Sequence, residues 1–345
     1  MRKKSSIFTL LLTLVVILCS GLPAWGIDYA ITKVVEIGPA DWVPMQGPLK
    51  WSPDGNWIAY YHDGWLMLSD TLGKSRQIWR YKYGPHLQEW LSNEEIIVRE
   101  WDPEYGQTRH KISIIDLRTG DENILIEETQ PWKGARKGQF NEYEGPGRTV
   151  EGNIYYAIKK GNDIRAILPK PKSSVSQKSL NSEDNHVVRW SKSGIYLVRC
   201  DFKDSTRLGP WPFHYIHMPA TLSPDGNYAI VYGLMENLSD STRIALDTII
   251  KDNSHDYIGC GFPFCYFNPE SDEILFHMSC ELSESEVVNC IGTFDYLTNE
   301  YSIIDSLIGI YECTTPAYSP DGIKIAFLAN CKAYIIYRDF WGERK

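Results

Sequence analysis

From Ile27 onward the chain is built of short apolar, aromatic-rich runs separated by polar turns. Such runs, bounded by turn signals, predict strands, and their short spacing predicts meanders. The clearest instance is Leu49-Lys-Trp-Ser-Pro-Asp-Gly-Asn-Trp-Ile-Ala-Tyr-Tyr61, which reads as strand, turn, strand. Ser-Pro-Asp-Gly returns at 223–226 and 319–322, followed by Tyr228-Ala-Ile-Val-Tyr232 and by Ile323-Lys-Ile-Ala-Phe327. Proline presets the first turn dihedral, aspartate bonds the backbone beyond it, and glycine takes the dihedral that other residues avoid. The recurrence predicts an array of like units.

The first unit runs from Leu49 to Trp79 through four short β runs, and four strands in about forty residues is the size of one propeller blade. A degenerate second copy spans 88–126, with Asn93 and Glu94 replacing Pro-Asp-Gly. A third leads from Arg148-Thr-Val-Glu-Gly152 into 153–158 and 163–168. The polar stretch 169–182 reads as an exposed loop, because the same pattern resumes after it at His186-Val-Val-Arg-Trp-Ser191, the fourth copy. The fifth begins at Ala220, the sixth at Cys265 and the seventh at Pro316. The seventh supplies three strands, so the lone run 27–37 is expected to pair with it and close the ring, leaving few open edges. The expectation is an all-β, single-domain, seven-bladed β-propeller over residues 27–345, or six blades if the short fourth copy is an elaboration.

Composition adds the setting. Arg2, Lys3 and Lys4, the apolar segment 7–18 and Ala24-Trp-Gly26 read as a cleaved export signal over residues 1–26, too short for a spanning helix. The mature chain shows no other transmembrane run, so a periplasmic or secreted protein is expected. Twelve Trp and twenty-one Tyr suit broad sheet faces. A net charge of −9 with both signs scattered argues against a nucleic-acid partner. Of eight cysteines one lies in the signal. Cys280 and Cys290 flank a predicted hairpin and Cys260 lies close to Cys265, which makes these four the disulfide candidates. Buried, unbonded cysteines are the other reading. No Cys-x-x-Cys pair exists for zinc.

The repeat Trp51-Ser-Pro-Asp-Gly-x-Trp-Ile-Ala-Tyr60, echoed at 222–232 and 318–327, resembles the TolB-like, WD-repeat-like β-propeller family along nearly the whole mature chain. The resemblance implies the fold. It leaves function open, since that family includes periplasmic binding proteins, the propeller halves of serine peptidases and some polysaccharide lyases. No Gly-x-Ser-x-Gly elbow, phosphate loop, His-Glu-x-x-His or calcium loop is present. Turn formation accounts for Asp54, Asp225 and Asp321.

One polar pattern remains. His86 stands six residues before Ser92, His217 six before Ser223, His186 five before Ser191, and Gln46 six before Ser52. Converging at the channel mouth of a propeller, these four would form a binding site, with His86, His186 and His217 as candidate ligands of a divalent metal. Polar loops at that level would place His there without any function. The sequence therefore predicts a non-catalytic binding or scaffolding module for a protein or glycan, with no cofactor and an open oligomeric state. The alternative is an enzyme resembling the propeller-type oligogalacturonate lyases, using the His cluster.

Overall fold

The computed structural model describes residues 29–41, 49–82, 84–102, 107–131, 142–148, 154–160, 163–167, 186–191, 194–199, 205–209, 221–231, 233–240, 242–246, 248–249, 259–269, 272–283 and 286–340. Strand β1 (Tyr29–Pro39) precedes a first sheet of β2 (Lys50–Trp51), β3 (Trp57–His62), β4 (Trp65–Asp70) and β5 (Ser75–Arg80). The second sheet holds β6 (Gly84–Trp90), β7 (Glu95–Asp102), β8 (Gln107–Asp116) and β9 (Glu122–Pro131). The third has β10 (Glu142–Arg148), β11 (Ile154–Lys160) and β12 (Asp163–Ile167), and the fourth β13 (His186–Ser191), β14 (Gly194–Arg199) and β15 (Ser205–Gly209). The fifth is β16 (Thr221–Leu222), β17 (Tyr228–Val231), β18 (Leu234–Asn237) and β19 (Arg243–Ala245). The sixth is β20 (Gly259–Phe267), β21 (Glu273–Ser283), β22 (Glu286–Asp295) and β23 (Glu300–Ile303). After a short helix, α1 (Ile304–Ile308), the seventh follows as β24 (Thr314–Tyr318), β25 (Lys324–Ala329) and β26 (Lys332–Phe340).

Every pairing among the described strands is antiparallel, and consecutive strands are neighbours. The expected partner of the N-terminal strand is found: β1 lies along β26, with Tyr29 opposite Phe340 and Pro39 opposite Lys332. First strands of successive sheets touch in the order β16, β20, β24, β2, β6, β10, so the sheet containing β1 sits between the sixth and the first. In the third copy the leading strand is Glu142–Arg148 rather than the predicted 148–152, and residues 149–153 fall outside the described set. A register shift between Glu144 and Gly147 gives β10 an irregular pattern that no period-two search detects.

The Ser-Pro-Asp-Gly turns fold as their chemistry predicts. Ser52 Oγ donates to Asp54 Oδ1 at 2.5 Å and accepts the Trp57 amide at 2.9 Å, and the same pair of bonds recurs at Ser223 and Ser319. The fourth residue is left-handed each time, with φ of 67° at Gly55, 73° at Gly226 and 66° at Gly322. Gly226 faces open space, whereas a methyl group on Gly322 would collide with the buried side chain of Asn268, the residue that follows β20 of the sixth sheet. Gly226→Ala is therefore expected to cost about 1–2 kcal/mol, the left-handed penalty alone. Gly322→Ala should cost about 2–4 kcal/mol, because overpacking is added. Urea melts of the two variants check this, and equal losses would refute the sheet-to-sheet contact as the cause.

Among the described residues, adjacent sheets bury apolar side chains against one another. Ala59, Leu66, Leu68 and Trp79 of the first sheet pack with Trp90, Ile96 and Val98 of the second. Leu275 and Ile291 of the sixth pack with Ile325, Phe327 and Ile336 of the seventh. Two tryptophans add a directional tie: Trp51 Nε1 donates to the carbonyl of Ala317 in the seventh sheet, and Trp90 Nε1 to that of Lys50 in the first, both at 3.0 Å. Arg338 of β26 reaches across to the sixth sheet, where Nη1 lies 2.6 Å from Glu273 Oε1, while Nη2 donates to the Gly322 carbonyl at 2.5 Å.

Candidate functional site

The spacing that aligned Gln46, His86, His186 and His217 depends on equivalent turns, and the structure shows that the turns differ. Trp51 pairs with Ile58, but Trp90 pairs with Ile96, so the second turn is one residue shorter. The role of Ser52, whose amide donates to Trp57 O, falls to Leu91, whose amide donates to Glu95 O. Counted from these equivalent positions, His86 and His186 stand five residues back, and Gln46 and His217 six. The offset is therefore not the same for all four. His86 also lies at a register shift between Pro85 and Leu87, where an extra residue breaks the alternation. Gln46 and His217 lie outside the described residues, while His86 and His186 are placed by backbone alone in β6 and β13.

The same counts in the seventh sheet fall on Cys313 and Thr314, both buried. Thr314 opens β24 and lines a cavity of about 250 Å³ with Asn289 of β22, Glu312, Leu328, Ala329, the turn residues Asn330 and Cys331, and Ala40 just after β1. Three chain segments distant in sequence thus meet at one end of the sixth and seventh sheets. Thr314 is 5% exposed, and its Oγ1 is buried without a hydrogen-bond partner among the described residues. A hydroxyl so placed carries a desolvation cost that a ligand or water would relieve. Thr315 next to it holds φ at 47°, which is unfavourable for a β-branched residue.

The polar wall is organised. His277 Nε2 lies 3.3 Å from Asn289 Oδ1, and Asn289 Nδ2 donates to Glu312 Oε2 at 3.1 Å. Burial holds the imidazole below its ordinary pKa, against the opposing bond from Asn289, so it enters this chain as a neutral donor. Asn289 therefore presents a fixed amide and orients the exposed Glu312 carboxylate. Leu328, Ala329 and Ala40 supply an apolar floor, and Tyr311, 66% exposed, immediately precedes Glu312. None of these residues stands in a recognisable motif. Only Thr314 was within reach of the repeat count, one position beyond where that count pointed.

Behind the cavity, Asp305 of α1 accepts the amides of Ile291 at 2.8 Å and Cys313 at 3.3 Å. Burial pushes its carboxyl up to about 6, against the pull of these amides. Folding therefore favours the protonated acid, a contribution complete below the unfolded pKa of about 3.9 and lost as pH rises through about 6. Relative to Asp305→Asn, the parent should lose roughly 2–3 kcal/mol between pH 4 and pH 7. Thermal melts of both proteins across that range check this, and a constant difference would refute it. The neighbouring thiols are inert: burial raises Cys290 to about 12 and pushes Cys313 higher still. Cys265, Cys290, Cys313 and Cys331 form no disulfide, so the expected use of Cys265 and Cys290 in disulfides is not found. Among the described residues no group of three or more His, Cys, Asp or Glu is placed to hold a metal ion, and no helix is long and apolar enough to cross a membrane.

No family model matches the chain, and no curated protein matches it. Among solved structures it is similar to a GH74 enzyme of Niastella koreensis, at 10% identity and a TM-score of 0.49, over 92% of this chain and 55% of that one. It is similar also to a gluconolactonase of Xanthomonas campestris, at 10% identity and a TM-score of 0.44, over 89% of each chain. An oligogalacturonate lyase in complex with manganese matches at 12% identity and a TM-score of 0.35, over 84% of this chain and 76% of that one.

Proposed function

We propose that this chain is an exported, seven-bladed β-propeller, closed by the pairing of β1 with β26, that works as a non-catalytic binding module. Its preferred ligand class is a glycan, taken at the cavity between the ends of the sixth and seventh sheets. The observation carrying this reading is the Thr314 hydroxyl, buried and unpartnered beside the oriented amide of Asn289. Neutral donors and acceptors over an apolar floor, with an exposed aromatic ring alongside, suit the alternating polar and apolar faces of a sugar. The Glu312 carboxylate adds a strong acceptor for paired hydroxyls.

Titration calorimetry with neutral oligosaccharides tests the reading. Thr314→Val keeps the shape of the side chain and removes the hydroxyl; it should leave the melting temperature nearly unchanged and weaken binding about tenfold, the equivalent of 1.4 kcal/mol. Unchanged affinity in Thr314→Val would overturn the assignment of the site. Protein ligands are the other outcome, seen as binding to an envelope protein without any glycan response.

The second reading, a lyase-like enzyme using the His cluster, rests on His86 and His186 holding the same offset from equivalent turn residues. It requires bound divalent metal that is lost on changing both to Ala, together with cleavage of acidic oligosaccharides.

A further inference from the structure

The sixth sheet brings two cysteines directly opposite one another. Cys260 of β20 is the register partner of Cys280 of β21. We propose that these two form a disulfide, a cross-link that ties the start of the first strand of this sheet to its second strand.

The type of pairing decides whether the geometry permits it. The Asn268 amide donates to Glu273 O at 2.7 Å, so the odd-numbered Glu273 turns its backbone groups toward β20. The Tyr296 amide donates to Asp272 O at 3.1 Å, so even-numbered residues turn theirs toward β22. Backbone groups alternate sides along a strand, and the register of β21 with β22 is unbroken from Glu273 to Glu281. The irregularity between Gly261 and Phe264 adds its extra residue on β20 and leaves the alternation of β21 intact. Cys280 therefore directs its hydrogen bonds to β22, and Cys260 with Cys280 is a non-hydrogen-bonded pair. In such pairs the Cα atoms lie about 4.5 Å apart, inside the range of about 4.4–6.8 Å that a disulfide spans.

The alternatives within the sixth sheet fail on the same ruler. Cys280 stands opposite Val288 and Cys290 opposite Met278, which makes 280 and 290 diagonal neighbours. Diagonal positions lie about 7–8 Å apart, beyond a disulfide's reach. Cys265 is opposite Phe276, five residues from Cys260 along the same strand. Neither Cys265 nor Cys290 is in a disulfide.

Formation needs an oxidant, and in an exported protein that is a small disulfide such as oxidised glutathione. One cysteine thiolate attacks that disulfide and releases one glutathione thiol. The other cysteine, losing its proton, attacks the mixed disulfide and releases the second. Two protons and two electrons leave the protein pair as the new sulfur–sulfur bond forms.

The test uses the full chain, exported to an oxidising compartment and trapped with an alkylating reagent under denaturing, non-reducing conditions. Peptide mass spectrometry should find the fragments carrying 260 and 280 linked, with 265, 290, 313 and 331 alkylated. Alkylation of both 260 and 280, or linkage of either to another cysteine, overturns the proposal. Dithiothreitol should lower the parent melting temperature by about 5 °C, as expected for opening a loop of this length. It should leave the Cys260→Ser, Cys280→Ser double variant unchanged. If the double variant does not fold, the peptide map of the parent still decides. A parent insensitive to dithiothreitol would also refute the cross-link as a stabilising bond.

Discussion

Trp90→Ala should lower folding stability by about 3–5 kcal/mol, among the largest effects of any single substitution in this chain. The side chain is 0% exposed and packs with Ala59, Leu66, Leu68, Ile96 and Val98, so its removal opens a cavity between the first two sheets. It also leaves the Lys50 carbonyl without the indole N–H that donates to it at 3.0 Å. The two contributions separate with Trp90→Phe, which keeps much of the volume and forfeits the bond; that variant should lose far less, about 1–2 kcal/mol. Urea denaturation monitored by circular dichroism measures both. A loss under 1 kcal/mol for the alanine variant would mean that the sheets close over the gap, and the interlock described here would be wrong.

Arg338→Ala comes second, at about 3–5 kcal/mol, and its cause is different. Arg338 is 1% exposed, bonded to Glu273 and to the Gly322 carbonyl, with its guanidinium 5.1 Å from the centre of the Tyr318 ring. Tyr318 donates its hydroxyl to the same Glu273 carboxylate. Removing the cation strands a largely buried anion at the junction of the sixth and seventh sheets. Arg338→Met combined with Glu273→Leu removes both charges and should recover most of the loss. If the double variant is as unstable as Arg338→Ala, lost packing rather than the uncompensated carboxylate explains the effect.

The strands and their order were legible because each depends on local chemistry. Ser52, Asp54 and Gly55 build the same turn as Ser223, Asp225 and Gly226, and the unbroken apolar runs Ile58 to Tyr61 and Ile325 to Ala329 mark strands buried on both faces. The leading strand of the third copy was misplaced because β10 carries a bulge. Turn length limits the polar count in a related way: with Asn93 and Glu94 in place of Pro-Asp-Gly the second turn is one residue shorter, which shifts any offset counted from it. The cavity was illegible altogether. Asn289, Thr314 and Ala40 come from separate strands or their ends, and only tertiary packing puts them side by side.

The pairing of β1 with β26 has a consequence for how the molecule is made. Tyr29 meets Phe340, so the seventh sheet joins residues from both ends of the described chain. A chain synthesised N-terminus first carries β1 as an unmatched strand until β26 has emerged. Contacts of such large sequence separation form slowly, because the loop closure they demand is large. Assembly of the seventh sheet is thereby tied to delivery of β26, and a polypeptide halted before β26 would hold β1 open to pairing with whatever edge it meets.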